Sequence, residues 1–188
     1  MGRIIVLSGE SGTGKTTAAK ELIKLGYNLV TSTTTRIQRD TDLSGEYEYV
    51  TVPDFVRLDQ VGEFAWTANP YKNVHHGTRK TNLDAARNSL DDHLMILIPQ
   101  IVPILLNYTN QVLPFFFDEP PIEELRRRLV ERGDSVANIE DRLSKVGSFR
   151  KEAKALEVKY VHLSTYEDNR NKDCNVLVKE LLRHLDKI

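Results

Sequence analysis

The clearest chemistry in the chain sits near its start, in Gly9-Glu10-Ser11-Gly12-Thr13-Gly14-Lys15-Thr16, which fits the spacing G-x-x-x-x-G-K-[ST] without a mismatch. Glycines at 9, 12 and 14 let the backbone curl so that successive N–H groups point inward, and a helix starting at Lys15 adds the positive end of its dipole. Such a loop is a cage for phosphate oxygens. Gly9, Ser11, Gly12, Thr13, Gly14, Lys15, Thr16 and Thr17 are the expected contacts to ATP, with Lys15 reaching the β- and γ-phosphates and the Thr16 hydroxyl holding Mg²⁺. Further on, Arg36 and Arg39 stand three residues apart and Tyr47 follows. Two guanidinium forks and a phenol can grip a second phosphate, because arginines this close repel unless an anion or an acid joins them. A third basic group, Arg128, Arg132 and Arg142, lies in a stretch with helical spacing.

The elements around these residues read as alternating strands and helices. Residues 3–8 form a short apolar strand of the buried, parallel type. Lys15–Leu25 reads as a helix with Ala18, Ala19, Leu22, Ile23 and Leu25 on one side and Gly26 as its stop. Strands are expected at Tyr27–Val30, Leu94–Ile98, Val112–Phe117 and Val158–Ser164, and helices at Lys80–Ser89, Pro120 to about Arg132, beyond Ser135, and Asn175–Leu185. Pro103 fits the first turn of a short helix, whereas Pro114 sits awkwardly inside a strand. Residues 36–80 break the pattern, with alternation through Tyr47, Tyr49 and Thr51 and a helix start at Pro53-Asp54-Phe55. The pattern predicts an α/β fold with a parallel sheet flanked by helices and ligands at the strand C-terminal ends.

Composition excludes several classes. With 26 Lys+Arg against 27 Asp+Glu among 188 residues, no global charge draws the chain to nucleic acid or membrane, and its length suits one domain with a small insertion. The single cysteine, Cys174, cannot form an internal disulfide, and no Cys/His set has zinc spacing. The apolar stretch Leu94–Leu106 is interrupted by Pro99, Gln100 and Pro103, and the myristoylation pattern fails at position 6. The expectation is a soluble cytoplasmic protein with small-molecule partners, and oligomeric state is not legible.

The phosphate loop followed by Ser32-Thr33-Thr34-Thr35-Arg36, Arg39 and Gly45-Glu46-Tyr47-Glu48-Tyr49-Val50 resembles the guanylate kinase family. Phe115-Phe116-Phe117 before Pro120-Pro121, Glu124 to Leu129, and Arg132-Gly133-Asp134-Ser135 with Ile139 and Arg142 extend the resemblance over about residues 3–147. It implies a P-loop kinase fold in one domain, 1–188: a core of 1–33 and 81–188, an inserted acceptor-binding lobe at about 34–80, and a helical lid at about 128–147. It implies ATP as co-substrate, Mg²⁺, and GMP or dGMP as acceptor. Ser32, Arg36, Arg39, Tyr47, His76 and Thr78 would hold that acceptor, with Lys15, Arg132 and Arg142 acting on the transferring phosphoryl group.

Two departures matter. The family's guanine-reading glutamate is missing, with Trp66 or Thr67 nearest its place, and the strand Leu94–Ile98 lacks the family's aspartates. His76 stands where a tyrosine would contact phosphate. Trp66 can stack on a base or serve as core. Asp118 and Glu119, at the end of a strand flanking the loop, offer a substitute carboxylate for a magnesium-bound water or simply favour the next helix. Two other readings stay open: a kinase of another phosphorylated small molecule such as ribose 1,5-bisphosphate, and a non-catalytic binding module of the same family.

Overall fold

The computed structural model describes residues 2–71, 73–167 and 170–186. A five-stranded sheet in the order β2-β7-β1-β8-β9 forms its centre, built from β1 (Ile4–Gly9), β2 (Asn28–Leu29), β7 (His93–Ile96), β8 (Val112–Asp118) and β9 (Val161–Ser164). Every pairing in it is parallel. Successive residues of β1 face opposite sides, and both sides are apolar because both are covered. Ile5 and Leu7 pack with Ala18, Ala19 and Leu22 of α1 (Lys15–Lys24) and with Leu177, Leu181 and Leu185 of α8 (Cys174–Leu185). Ile4 and Val6 pack with Leu83 and Ala86 of α3 (Lys80–Asn88) and Val102 and Leu105 of α4 (Val102–Tyr108).

Most expected elements occur within a few residues of their sequence bounds, with informative exceptions. Ile23 and Leu25, expected on the buried side of α1, are 36% and 58% exposed, so only the Ala18, Ala19, Leu22 stripe is core. Gly26, at φ 97, ends that helix as foreseen. Pro114 is tolerated inside β8 because β9 joins only from Phe115 onward, leaving β8 a single neighbour at the proline. The final strand begins at Val161 rather than Val158, and a small antiparallel pair follows it, β10 (Tyr166–Glu167) with β11 (Arg170–Asn171). A further helix, α7 (Ser148–Ala155), has no counterpart in the sequence reading. Its one fully buried side chain is Ala153, too weak an apolar stripe to betray it.

A second sheet opens at Ser32. Its order is β4-β3-β6-β5, from β3 (Ser32–Thr34), β4 (Tyr47–Tyr49), β5 (Phe64–Tyr71) and β6 (Val74–Arg79), with α2 (Val52–Gln60) packed on it through Phe55. The register aligns Trp66, Thr78, Ser32 and Tyr47 in one row across the sheet, and Ala68, His76, Thr34 and Tyr49 in the next. Residues two apart share a face, so both rows lie on the same side. The helices α5 (Ile122–Glu131) and α6 (Val136–Ser144) pack on each other through Leu125, Leu129, Ile139 and Leu143. Ser135 Oγ caps α6 on the Asn138 N–H, as its type and place predict.

Candidate active site

The phosphate loop spans the turn from β1 to α1, and its shape is fixed from outside as well as by its own glycines. Gly9 takes φ 134 with its α-carbon so close to β8 that a β-carbon would lie 2.5 Å from the Phe117 carbonyl oxygen; Gly14 takes φ 101 against Thr165. No residue with a side chain fits either place without moving backbone or neighbour. Thr13 Oγ1 donates to the Glu10 carbonyl at 2.8 Å, and Thr165 Oγ1 donates to the Thr13 carbonyl at 3.0 Å. Thr13 therefore braces the loop with its side chain turned inward.

Arg128 tightens the same brace. Its guanidinium donates to the Gly12 carbonyl at 3.1 Å, to Thr165 Oγ1 at 2.8 Å and to Asn171 Oδ1 at 2.6 Å, while Glu124 accepts from its Nε at 2.7 Å. Glu10 holds the loop from the other side. Its buried carboxylate accepts from the Phe149 backbone N–H at 3.0 Å and from Ser148 Oγ at 3.3 Å, at the start of α7. Burial raises its pKa, against the pull of those two bonds.

Lys15 Nζ folds onto the loop itself, donating to the carbonyls of Gly9 at 2.8 Å and Glu10 at 2.6 Å. Burial pushes its pKa down to about 8, partly countered by Glu10 and reinforced by Arg132 and Arg142. Arg132 donates to Ser11 Oγ at 3.1 Å and pairs with Asp134, which also lies 3.4 Å from Arg142 Nε. One carboxylate thus collects both arginines beside the loop.

Across the same cavity stands the second cationic group. Arg36 makes a two-pronged ion pair with Asp42, at 2.6 and 2.7 Å, and its guanidinium carbon lies 4.8 Å from the centre of the Tyr47 ring. Asp42 also accepts from Tyr49 Oη at 2.6 Å and from the Arg39 backbone N–H at 2.8 Å, contacts that outweigh burial and hold its pKa down at about 2. Asp42, not singled out from the sequence, is an acid beside the two arginines, and it fixes Arg36 without a ligand. No ion pair engages the Arg39 guanidinium among the described residues. His76 packs edge-on against Tyr47 at 5.9 Å, and burial with Arg36 and Arg39 nearby pushes its pKa down to about 4. It is neutral at pH 7, so the expected phosphate contact there is a neutral imidazole. His75 turns to the other face, against Phe55.

The loop and this second cationic group line one cavity of about 650 Å³. Gly9, Ser11, Gly12, Gly14, Lys15, Thr16 and Thr17 meet it on one side and Ser32, Arg36, Arg39, Tyr47 and His76 on the other, with Arg128, Arg132 and Arg142 at its margin. Thr78 sits beneath it, fully buried, with its hydroxyl 2.8 Å from Ser32 Oγ. Thr78 and Thr13, both expected at the site, thus present no side chain to the cavity, and neither does Asp118. It lies outside the cavity, bonded to His162 Nδ1 at 3.0 Å and paired with Arg150 at 3.2 Å, and Glu119 shares the Arg150 guanidinium. The offered metal role for Asp118 is corrected on that ground: β8 ends by turning its acids toward α7, away from Thr16. Trp66 proves to be both core and cavity wall.

A parallel sheet with a phosphate loop after its central strand, facing a separate basic pocket on an added sheet, defines a P-loop phosphotransferase. The family model "Guanylate kinase" matches residues 1–184. The guanylate kinase of Porphyromonas gingivalis is 30% identical over 171 residues, 87% of this chain and 86% of that protein. That of Rhodopseudomonas palustris is 33% identical over 151 residues, 78% and 68% of the two chains. The crystal structure of guanylate kinase from Anaplasma phagocytophilum superposes with a TM-score of 0.70 at 24% identity, covering 99% of this chain and 85% of that one, and so shares the fold. The chain belongs to the guanylate kinase family.

Proposed function

We propose that the chain transfers the γ-phosphoryl group of ATP to the phosphate of GMP, releasing ADP and GDP. The observation that carries this is the single cavity with a triphosphate cage on one side and Arg36, Arg39 and Tyr47 on the other. An acceptor phosphate is already ionised at neutral pH, so positioning and charge neutralisation do the work and no general base with a shifted pKa is needed. Loop amides and Lys15 hold the donor, exchanging the carbonyls of Gly9 and Glu10 for phosphate oxygens. Arg36, Arg39, Tyr47 and neutral His76 hold the acceptor phosphate, with Ser32, backed by Thr78, toward its base. Arg132 and Arg142, presented by α5 and α6, neutralise charge on the transferring group.

Mg²⁺ keeps most of its waters and needs few protein ligands, so the Thr16 hydroxyl lining the donor side fits it, and the ion would neutralise β- and γ-oxygens when bound. In this reading residues of about 34–80 are the acceptor lobe, about 128–147 the lid, and the rest the core. The setting is cytoplasmic, with two small molecules as partners and no nucleic acid. No helix among the described residues is long and apolar enough to cross a membrane.

The test is ADP release from Mg-ATP with GMP, using Lys15→Ala as the blank. Turnover by the wild type and a loss of at least about a thousandfold in the variant are expected. Equal rates in both would refute the site assignment.

A further inference from the structure

At the β5 edge of the second sheet the cavity ends in an apolar wall. Trp66 and Ala68 of β5 and Ile96, Leu97 and Ile98 at the end of β7 line it, and most of them belong to the core cluster beneath. The one side-chain polar atom in this wall is Trp66 Nε1, a donor that is buried and has no partner among the described residues. The backbone carbonyl of Leu97 accepts from Ser8 Oγ at 2.9 Å and that of Ile98 from the Ile101 N–H at 3.2 Å.

The carboxylates that do line the cavity are Asp42 and Glu46; Asp42 is fully engaged, and Glu46, next to Tyr47 of β4, stands at the opposite edge of the sheet from the β5 wall. Asp42 holds Arg36, Tyr49 and the Arg39 backbone, and Glu46 accepts from the Leu43 N–H at 3.0 Å. What remains for the polar edge of a base is the Ser32 and Thr78 hydroxyl pair. Of the two, only Ser32 meets the cavity; when Thr78 behind it is the donor, Ser32 keeps one O–H for a carbonyl and a lone pair for a ring N–H. An exocyclic amine in addition finds hydrocarbon.

We propose that the acceptor base is held by the apolar wall and the Ser32–Thr78 pair alone, and that the 2-amino group of a 6-oxopurine is not read. The chain then phosphorylates a 6-oxopurine monophosphate lacking that amine as readily as GMP. This rests on the acceptor site proposed above and extends it to a second substrate. The ring N–H and the C6 carbonyl, which the hydroxyl pair serves, are common to both bases. A carboxylate partner for the amine would make its removal cost roughly 10- to 100-fold; a hydrocarbon wall makes the removal free, and spares an amine burial without an acceptor. The transfer itself is unchanged: an acceptor phosphate oxygen bonds to the γ-phosphorus, the bond to the β,γ-bridging oxygen breaks, and ADP leaves with that electron pair.

The deciding measurement is kcat/KM for GMP and for IMP with saturating Mg-ATP. A value for IMP equal to or above that for GMP is expected, whereas a preference for GMP of more than about threefold overturns the proposal. Ile98→Asp, which sets a carboxylate on the wall, should move the ratio toward GMP by about tenfold. Trp66→Phe breaks no internal hydrogen bond and serves as the folded companion; it should change KM for the two substrates in parallel, and a change confined to one of them counts against the proposal. Turnover of GMP alone removes only this inference, while no turnover of either removes the acceptor reading beneath it as well.

Discussion

Lys15 enters the nucleotide cycle with its charge already strained. Its pKa lies near 8 in the folded chain against an ordinary 10.5, so unfolding takes up a proton between those values. Lys15 therefore costs stability at neutral pH, and that cost fades as pH rises through the window. Binding works in the opposite sense, since phosphate oxygens favour the charged amine and raise its pKa. ATP binding should take up a proton above pH 8, and affinity should fall by up to about tenfold per pH unit from 8.5 to 9.5. Calorimetry in two buffers of different ionisation heat measures this; Lys15→Met should show no such uptake. Arg36 lends itself to a sharper separation of roles. Arg36→Ala strands Asp42, a nearly buried acid, and should destabilise the fold by about 3 kcal/mol as well as raise KM for the acceptor. Adding Asp42→Asn should return most of the stability, read by urea unfolding, while leaving KM high. The loop was legible because it lies within eight positions, whereas Asp42 was not singled out although it stands six positions from Arg36, because that spacing fits no motif. Glu10 was not legible, because its partner Phe149 is 139 positions away, and Asp118 misled because its neighbours His162 and Arg150 also lie well beyond any local pattern.

Among the elements, α7 does more for the site than its sequence suggests. Its first turn offers unpaired N–H groups, and the Glu10 carboxylate takes that of Phe149, tying the phosphate loop to the helix that follows α6. Glu10→Ala should cost about 1–3 kcal/mol in urea unfolding and weaken ATP binding, since the loop loses one of its two external braces; Glu10→Gln, which keeps an acceptor oxygen, should cost less. The strands and long helices were readable because burial on one or both faces leaves a periodic apolar record, as in β1 or the Leu177, Leu181, Leu185 stripe of α8. Elements held by polar contacts leave none. The β10–β11 pair, whose strands are two residues each, and α7 were missed for that reason. The second sheet was visible as alternation at Tyr47 and Tyr49, but only the β5–β6 pairing shows that Trp66 shares a row with Thr78 and Ser32.

At the scale of the whole molecule, the central strand comes first in the chain and its neighbours come late. β1 pairs with residues 93–96 and 112–117, and the loop after it is braced by Arg128, Phe149 and Thr165. The loop's working shape thus depends on residues far later in the sequence than the loop itself. A growing chain can hold the complete loop motif, the second sheet, α5 and α6 and still lack the Thr165 hydroxyl that fixes the Thr13 carbonyl. A chain stopped after Leu156 should retain no measurable ATP by equilibrium dialysis, although every residue expected to touch the phosphates is already present. On that outcome, nucleotide capture would wait until β9 docks on β8 and brings Thr165 to the loop.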